Sequence, residues 1–421
     1  MHHFDYRNGT LFAEDVPLTK IAEEVGSPVY VYSAATLRRH YHVFADAFAD
    51  IDAMVCYAMK ANSNQAVLSL LAREGCGADV VSAGELKRAL AAGIPAERIM
   101  FSGVGKTHEE LAFALEAGIY CFNVESEPEL RRLSKVATDL GKTAHVSLRI
   151  NPDVDAKTHA KISTGKSENK FGIPWKQAPA VYALAKELSG VEATGIDMHI
   201  GSQITQLEPF DAAFARLGEL IGNLRADGHP IDHVDLGGGL GIPYKHDEET
   251  PPLPTEYAAV VKKHVEKLNC KVVFEPGRLI AGNAGILLTE VVYVKEGEGK
   301  NFVIVDGAMN DLIRPTLYEA HHEIGTVNEP DPSGKTIVAD IVGPVCETGD
   351  YLGLGRTLPV VGEGDLLVVY SAGAYGAVQA CTYNSRPLVP EVLVDGDRYH
   401  VIRKRPAIED IIAMDSVPEW L

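Results

Sequence analysis

Between residues 54 and 275 short apolar runs recur, with helical stretches between them. The runs cover 54–59, 78–81, 98–102, 120–124, 145–150, 195–200, 233–236 and 271–274. Several are near-continuous Val, Ile, Met and Phe, as expected of parallel strands buried on both faces. Three are followed at once by a hydroxyl residue with a glutamate three positions on: Ser82 and Glu85, Thr107 and Glu110, Ser126 and Glu129. In such a box, hydroxyl and carboxylate each satisfy an amide that the first helical turn leaves free. Strand, cap and helix, repeated until the strand count closes at eight, predict an α/β fold. The specific expectation is a TIM-type (β/α)8 barrel over residues 36–278, ahead of an open doubly wound sheet.

After Arg278 the alternation stops. Segments 286–294, 302–306, 336–342, 366–370, 389–394 and 399–402 are rich in β-branched residues, with Gly and Pro turns between them. They predict a second, mostly antiparallel β domain of sandwich or barrel-like form. The first 35 residues also look strand-like, above all Val29-Tyr30-Val31-Tyr32, and are expected to join 279–421 in that domain.

Composition narrows the partners. With 39 basic and 58 acidic side chains the net charge is −19, which argues against surfaces for nucleic acid or acidic membranes. The 6 cysteines show no CxxC pair and no Cys/His metal spacing, so reduced thiols and no metal are expected. Met1-His2-His3-Phe4-Asp5-Tyr6-Arg7 has no apolar core segment, so no signal peptide is expected. The longest uncharged stretch, 366–385, approaches membrane-spanning length but carries Ser371, Gly373, Gly376, Gln379, Thr382 and Asn384. It reads as a strand and a loop leading to another element, and the expectation is a cytosolic protein.

In a barrel of this kind chemistry gathers at the C-terminal ends of the strands. Strand 1 ends in Tyr57-Ala58-Met59-Lys60-Ala61-Asn62 and strand 6 in His199-Ile200-Gly201-Ser202-Gln203. Strand 7 runs into Gly237-Gly238-Gly239, whose amides can converge on an anion, and strand 8 into Glu275-Pro276-Gly277-Arg278. Singly, each has a bland reading: a solvated lysine, a core histidine, a flexible turn, a surface ion pair. Together they describe a pyridoxal phosphate site: a lysine for the Schiff base, a ring-sized imidazole, a phosphate nest and a carboxylate for the pyridine nitrogen.

Carrying these motifs, and also Gly343-Pro344-Val345-Cys346-Glu347-Thr348-Gly349-Asp350, Ala374-Tyr375-Gly376 and Asn384-Ser385-Arg386-Pro387, the chain resembles the diaminopimelate decarboxylases over nearly its whole length. These are pyridoxal phosphate enzymes of the alanine-racemase-like fold type. The resemblance implies that Lys60 carries the cofactor and His199 stacks on its ring. Ser202, Gly238, Gly239 and the Pro276-Gly277-Arg278 segment would hold the phosphate, while Glu275 would face the pyridine nitrogen. Tyr375 would reach phosphate or substrate, and Arg278, Arg314 and Tyr318 would take the substrate's distal carboxylate.

Cys346, the implied proton donor, and Glu347, placed to bind the distal ammonium, come from the other subunit in this family, so a homodimer with a shared active site is implied. A carboxylate at the ring nitrogen keeps it protonated and so favours decarboxylation over racemisation, and two arginines suit a substrate with a second carboxylate. The implied reaction is meso-2,6-diaminopimelate to L-lysine and carbon dioxide. Another decarboxylase of the same fold type, acting on carboxynorspermidine or a basic amino acid, is the nearest alternative. A non-catalytic cofactor-binding homologue is disfavoured by the presence of Cys346, Arg278, Arg314 and Tyr375 together. The polar segment 155–171 is expected to form a lid, with no role assigned to His159.

Overall fold

The computed structural model describes residues 2–155, 160–162, 164, 169–245 and 250–421. It divides into two compact units. One comprises Arg38–Pro243 and Glu249–Ile280; the other comprises Met1–Leu37, Tyr244–Glu248 and Ala281–Leu421. Tyr244, which lies within the expected 36–278 barrel segment, groups with the second unit because its ring packs on Arg314 and His322.

In the first unit, among the described residues, eight parallel strands close on themselves. They are β1 (Ala53–Ala58), β2 (Gly77–Val80), β3 (Ile99–Phe101), β4 (Cys121–Val124), β5 (Ala144–Asn151), β6 (Val191–Asp197), β7 (His233–Asp235) and β8 (Lys271–Phe274). Each pairs with its sequence neighbour, and β8 returns to β1 through Val273 opposite Met54. Register sets layers in the interior. Gly195 lies opposite His233, and two residues further along the same strands Asp197 lies opposite Asp235. Because strand side chains alternate, residues two apart share a face, so a residue pair near the foot stands below an acidic pair near the mouth.

The caps differ in detail from the expected boxes. Ser82, Thr107 and Ser126 each accept from the backbone amide of the glutamate three residues on. Only Glu110 reaches back to its own cap amide; Glu85 takes the amide of Val81 and Glu129 that of Glu125, one residue earlier. The preceding strand end leaves those amides free as well, and the longer reach satisfies them.

The second unit contains a nine-stranded sheet. Its main path runs Tyr351–Pro359, Thr336–Val342, Asn301–Val305, Gly285–Glu296, Val29–Ser33, Glu391–Asp395, Arg398–Arg403. Most pairings are antiparallel; Asn301–Val305 with Thr336–Val342 and Val29–Ser33 with Glu391–Asp395 are parallel. Alternating Val29, Val31, Ile286, Leu288, Val392 and Val394 build its core at or below 1% exposure. Each such side chain contributes about 1.5–3 kcal/mol on burial. The N-terminal segment is not all strand: three short strands precede a helix, Leu18–Val25, whose Leu18 and Ile21 pack into the same core. The uncharged stretch resolves into a strand, Leu366–Val369, and the single turns Ala377–Gln379 and Tyr383–Ser385. Among the described residues no helix is long and apolar enough to cross a membrane.

Candidate active site

At the mouth of the barrel β1 runs out into a single 3-10 turn, Met59–Ala61, and presents Lys60. Its Nζ donates to Asp79 Oδ2 at 2.6 Å. Asp79, on β2, is fully buried, and its Oδ1 has no hydrogen-bond partner among the described residues. Removing a carboxylate from water is costly unless it is paired, so Asp79 holds the Lys60 head group at the strand end.

The glycines after β7 form a cradle in which backbone replaces side chains. A Cβ on Gly238 would stand 2.3 Å from Glu275 O, and one on Gly239 2.5 Å from Gly201 O. Gly237 and Gly239 also adopt φ of 63° and 110°, the left-handed region open to glycine. Gly277 brings β8 against β1, where a Cβ would meet those of Ala58 and Ala61 at 3.1 Å. Pro276 O accepts from Ala58 N at 3.2 Å, tying the same two strand ends.

His199, partly buried after β6, accepts from Gly238 N through Nδ1 at 3.3 Å. Burial, then Arg149 and Lys60, pushes its pKa well below the usual imidazole value, so the ring is neutral. Ser202 is engaged by Arg278: its Oγ accepts from Nε at 3.3 Å and from the terminal NH2 at 3.0 Å.

Glu275 is buried, and its Oε1 accepts from Ser102 Oγ at 3.3 Å and Asn123 Nδ2 at 3.2 Å. Asn123 Nδ2 also donates to Asp235 Oδ2 at 3.1 Å. Burial, then Asp235, Asp79 and Asp197, pushes Glu275 well above the usual carboxyl range. Asp197 is raised too, by burial and then Asp235, and burial lifts Asp235 to about 6. Arg149 NH1 meets Glu125 at 3.1 Å and its Nε lies 3.8 Å from Asp197. Burial opposes the Arg149 charge, but Glu125 and Asp197 outweigh it and hold the guanidinium above its ordinary pKa. The mouth therefore has more acid than cation, and a protonated heterocycle facing Glu275 would supply the missing positive charge.

The cradle, the neutral imidazole, the lysine and the acid excess fit pyridoxal phosphate. Asp79, Asn123, Arg149, Asp197 and Asp235 were not among the residues singled out from the sequence. Their signal was present: each is a polar side chain inside a strand that must be buried on both faces.

The remaining expected residues lie in the second unit. Arg314 opens the helix Arg314–Tyr318 and is 5% exposed; NH1 lies 2.8 Å from His322 Nε2. Tyr318 OH accepts from Gln379 Nε2 at 3.4 Å. Cys346 and Glu347 are exposed; Asn384 Nδ2 donates to Cys346 Sγ at 3.4 Å, and Tyr383 OH donates to Glu347 Oε1 at 2.6 Å. Their loop is pinned by Asp350, whose two carboxylate oxygens accept from Met309 N and Val345 N, both at 2.6 Å. Tyr375 holds φ of 58°, a costly conformation for a non-glycine residue and one that gathers at functional positions. Much of segment 155–171, His159 included, lies outside the described residues.

A parallel barrel whose mouth is built this way defines the class of enzymes that do their chemistry through pyridoxal phosphate, and comparison with known proteins agrees. The family description "Pyridoxal-dependent decarboxylase, pyridoxal binding domain" matches residues 34–282. The diaminopimelate decarboxylases of Zymomonas mobilis and Vibrio cholerae are 51% and 52% identical to the chain, with 99% of each chain covered in both cases. The solved structure of the diaminopimelate decarboxylase of M. jannaschii in complex with L-lysine superposes with a TM-score of 0.95 at 37% identity, covering 100% of both chains. The chain belongs to the diaminopimelate decarboxylase family.

Proposed function

We propose that this protein decarboxylates meso-2,6-diaminopimelate to L-lysine and carbon dioxide, as a cytoplasmic homodimer. The observation that carries the reading is the buried Glu275 carboxyl, hydrogen-bonded by Ser102 and Asn123 at the end of β8. When bound, pyridoxal phosphate supplies a ring that accepts the electron pair left by the departing carboxylate. Every other part belongs to the chain. Lys60 is the amine that holds the cofactor's aldehyde carbon. Glu275 keeps a proton at the ring nitrogen, which an arginine in its place would not. His199, neutral, covers the ring face without adding charge. Gly238, Gly239, Ser202 and the amides of Gly277 and Arg278 surround the phosphate, with Pro276 fixing the turn.

Arg278, Arg314 and Tyr318 take the distal carboxylate, Glu347 the distal ammonium, and Tyr375 reaches phosphate or substrate. Cys346 returns a proton to the α-carbon, a task for which a positioned thiol is a suitable general acid. The exposure of the Cys346–Glu347 loop in a single chain supports the idea that it completes the partner subunit's site.

Carbon dioxide release from meso-diaminopimelate, ornithine, arginine and lysine tests the substrate. Turnover of the first alone is expected, and a preference for a substrate lacking the second distal carboxylate overturns the assignment. Sharing is tested by mixing inactive Lys60→Ala and Cys346→Ala proteins. Partial recovery of activity is expected, and none in verified mixed dimers rejects a shared site.

A further inference from the structure

We infer that His322, locked as its Nδ1–H tautomer, is a positioning residue that orients the Arg314 guanidinium toward the substrate's distal carboxylate. The inference deepens the function proposed above and rests on it. His322 is fully buried, and both ring nitrogens are engaged. Nδ1 lies 2.9 Å from the carbonyl oxygen of Tyr370, which can only accept, so Nδ1 carries the hydrogen. Nε2 lies 2.8 Å from Arg314 NH1, which can only donate, so Nε2 is bare. One protonation state satisfies both contacts: the neutral imidazole with its hydrogen on Nδ1. A second proton would set N–H against N–H.

Local structure explains how the two residues meet. The helix Arg314–Tyr318 ends at Glu319 in the left-handed conformation, with φ of 53°. Ala320 N then turns back to Arg314 O at 3.3 Å, which returns the chain toward Arg314 before His322. Tyr244 supplies the other wall. Its ring centroid lies 4.7 Å from the Arg314 guanidinium carbon, and it meets the His322 ring edge-on at 5.3 Å and 83°. The Tyr244 ring face and His322 Nε2 thus both hold the guanidinium.

The neutrality of the holder is what matters. A carboxylate in the place of His322 would fix the guanidinium equally well but would cancel its charge and compete with the substrate's own carboxylate. An uncharged acceptor orients the fork without itself taking up any of its charge. Ser202 plays a similar part toward Arg278, again through an uncharged oxygen.

The test uses the cofactor-loaded enzyme and three ligands. Meso-diaminopimelate and L-lysine both carry the distal carboxylate, whereas 1,5-diaminopentane does not. His322→Phe keeps the ring shape and removes the acceptor. It is expected to raise KM for meso-diaminopimelate and the inhibition constant of L-lysine together, by about tenfold, the size of one charge-assisted hydrogen bond. The inhibition constant of 1,5-diaminopentane and the visible spectrum of the bound cofactor should stay as in the wild type. His322→Gln, which restores an acceptor, should recover most of the loss. Tyr244→Leu should show the same selectivity on a smaller scale, and it carries the test if the phenylalanine variant does not fold. An unchanged KM, or an equal loss for all three ligands, overturns the inference alone. A wild-type enzyme that releases no carbon dioxide from meso-diaminopimelate overturns the proposed function, and this inference with it.

Discussion

The two ends of the barrel hold similar ingredients and differ in what those ingredients can do. At the foot, Cys121 Sγ lies 3.5 Å from His233 Nε2, and His233 Nδ1 lies 2.8 Å from Asp232 Oδ1. That is the order of nucleophile, base and orienting acid in a hydrolase. The ring is accommodated by Gly195, where a Cβ would stand 2.0 Å from His233 Nε2. At the mouth, Lys60 and Asp79 pair at 2.6 Å. Geometry alone would not choose between them.

Desolvation does. Cys121 is 1% exposed, and burial pushes its thiol well above the usual value while pulling the His233 imidazole down. Both shifts favour the uncharged pair, and thiol chemistry needs the thiolate. Burial also pushes Glu275 and Asp197 well above the usual carboxyl range. There, however, Arg149 and Lys60 supply counter-charge, and the Lys60 side chain keeps 38% of its exposure. We therefore place reactivity at the mouth, where Arg149 and Lys60 stand among the buried acids and a way in remains. The foot is packing.

The sharpest way to break the contrast is at Lys60. Lys60→Ala is expected to abolish turnover, by at least about a thousandfold, as when an enzyme loses a group that makes its covalent link. It should also remove the visible absorbance that borohydride fixes to the protein; retained, fixable colour would place the reactive amine elsewhere. A second, intermediate effect concerns Asp235. Burial raises its pKa from 3.8 to about 6, so the folded chain binds more protons than the unfolded one between those values. The Asp235 contribution to stability must then fall as pH rises through that window, with a slope of at most about 1.4 kcal/mol per pH unit. Urea unfolding of the cofactor-free protein and of Asp235→Asn at several pH values should show the stability advantage of the wild type shrinking across that window. An unchanged slope in the variant would mean that Asp235 titrates normally. The smallest effect is expected at the foot. Cys121→Ala should leave kcat/KM within about twofold and cost about 1 kcal/mol of stability, the scale of a small core truncation. A collapse of activity there would make the lower array functional and undo the comparison.

Much of this was legible in order along the chain. The barrel strands announce themselves because parallel strands buried on both faces must be apolar runs, and Lys60, His199, Glu275 and Arg278 stand where such runs end. The glycines of 237–239 were readable for the same reason, since their position after the seventh run gave a weak signal its meaning. The helix Leu18–Val25 was missed because it is short and lies between strands, and the run Val29-Tyr30-Val31-Tyr32 drew the whole segment toward a strand reading. Glu85 and Glu129 were expected to close reciprocal boxes, yet each reaches an amide one residue earlier, a choice set by where the strand ends.

Composition and periodicity determined the eight-stranded barrel, the second β domain and the lysine, imidazole, glycine and carboxyl groups at the strand ends. These are local consequences of which side chains a strand or a helix start can carry. Only the tertiary structure decided which buried acids surround Glu275, that Asp79 rather than solvent receives Lys60, and that His322 and Tyr244 flank Arg314. Such pairings join residues far apart along the chain, and their strength comes from a low-dielectric interior that exists only once the chain has closed around it.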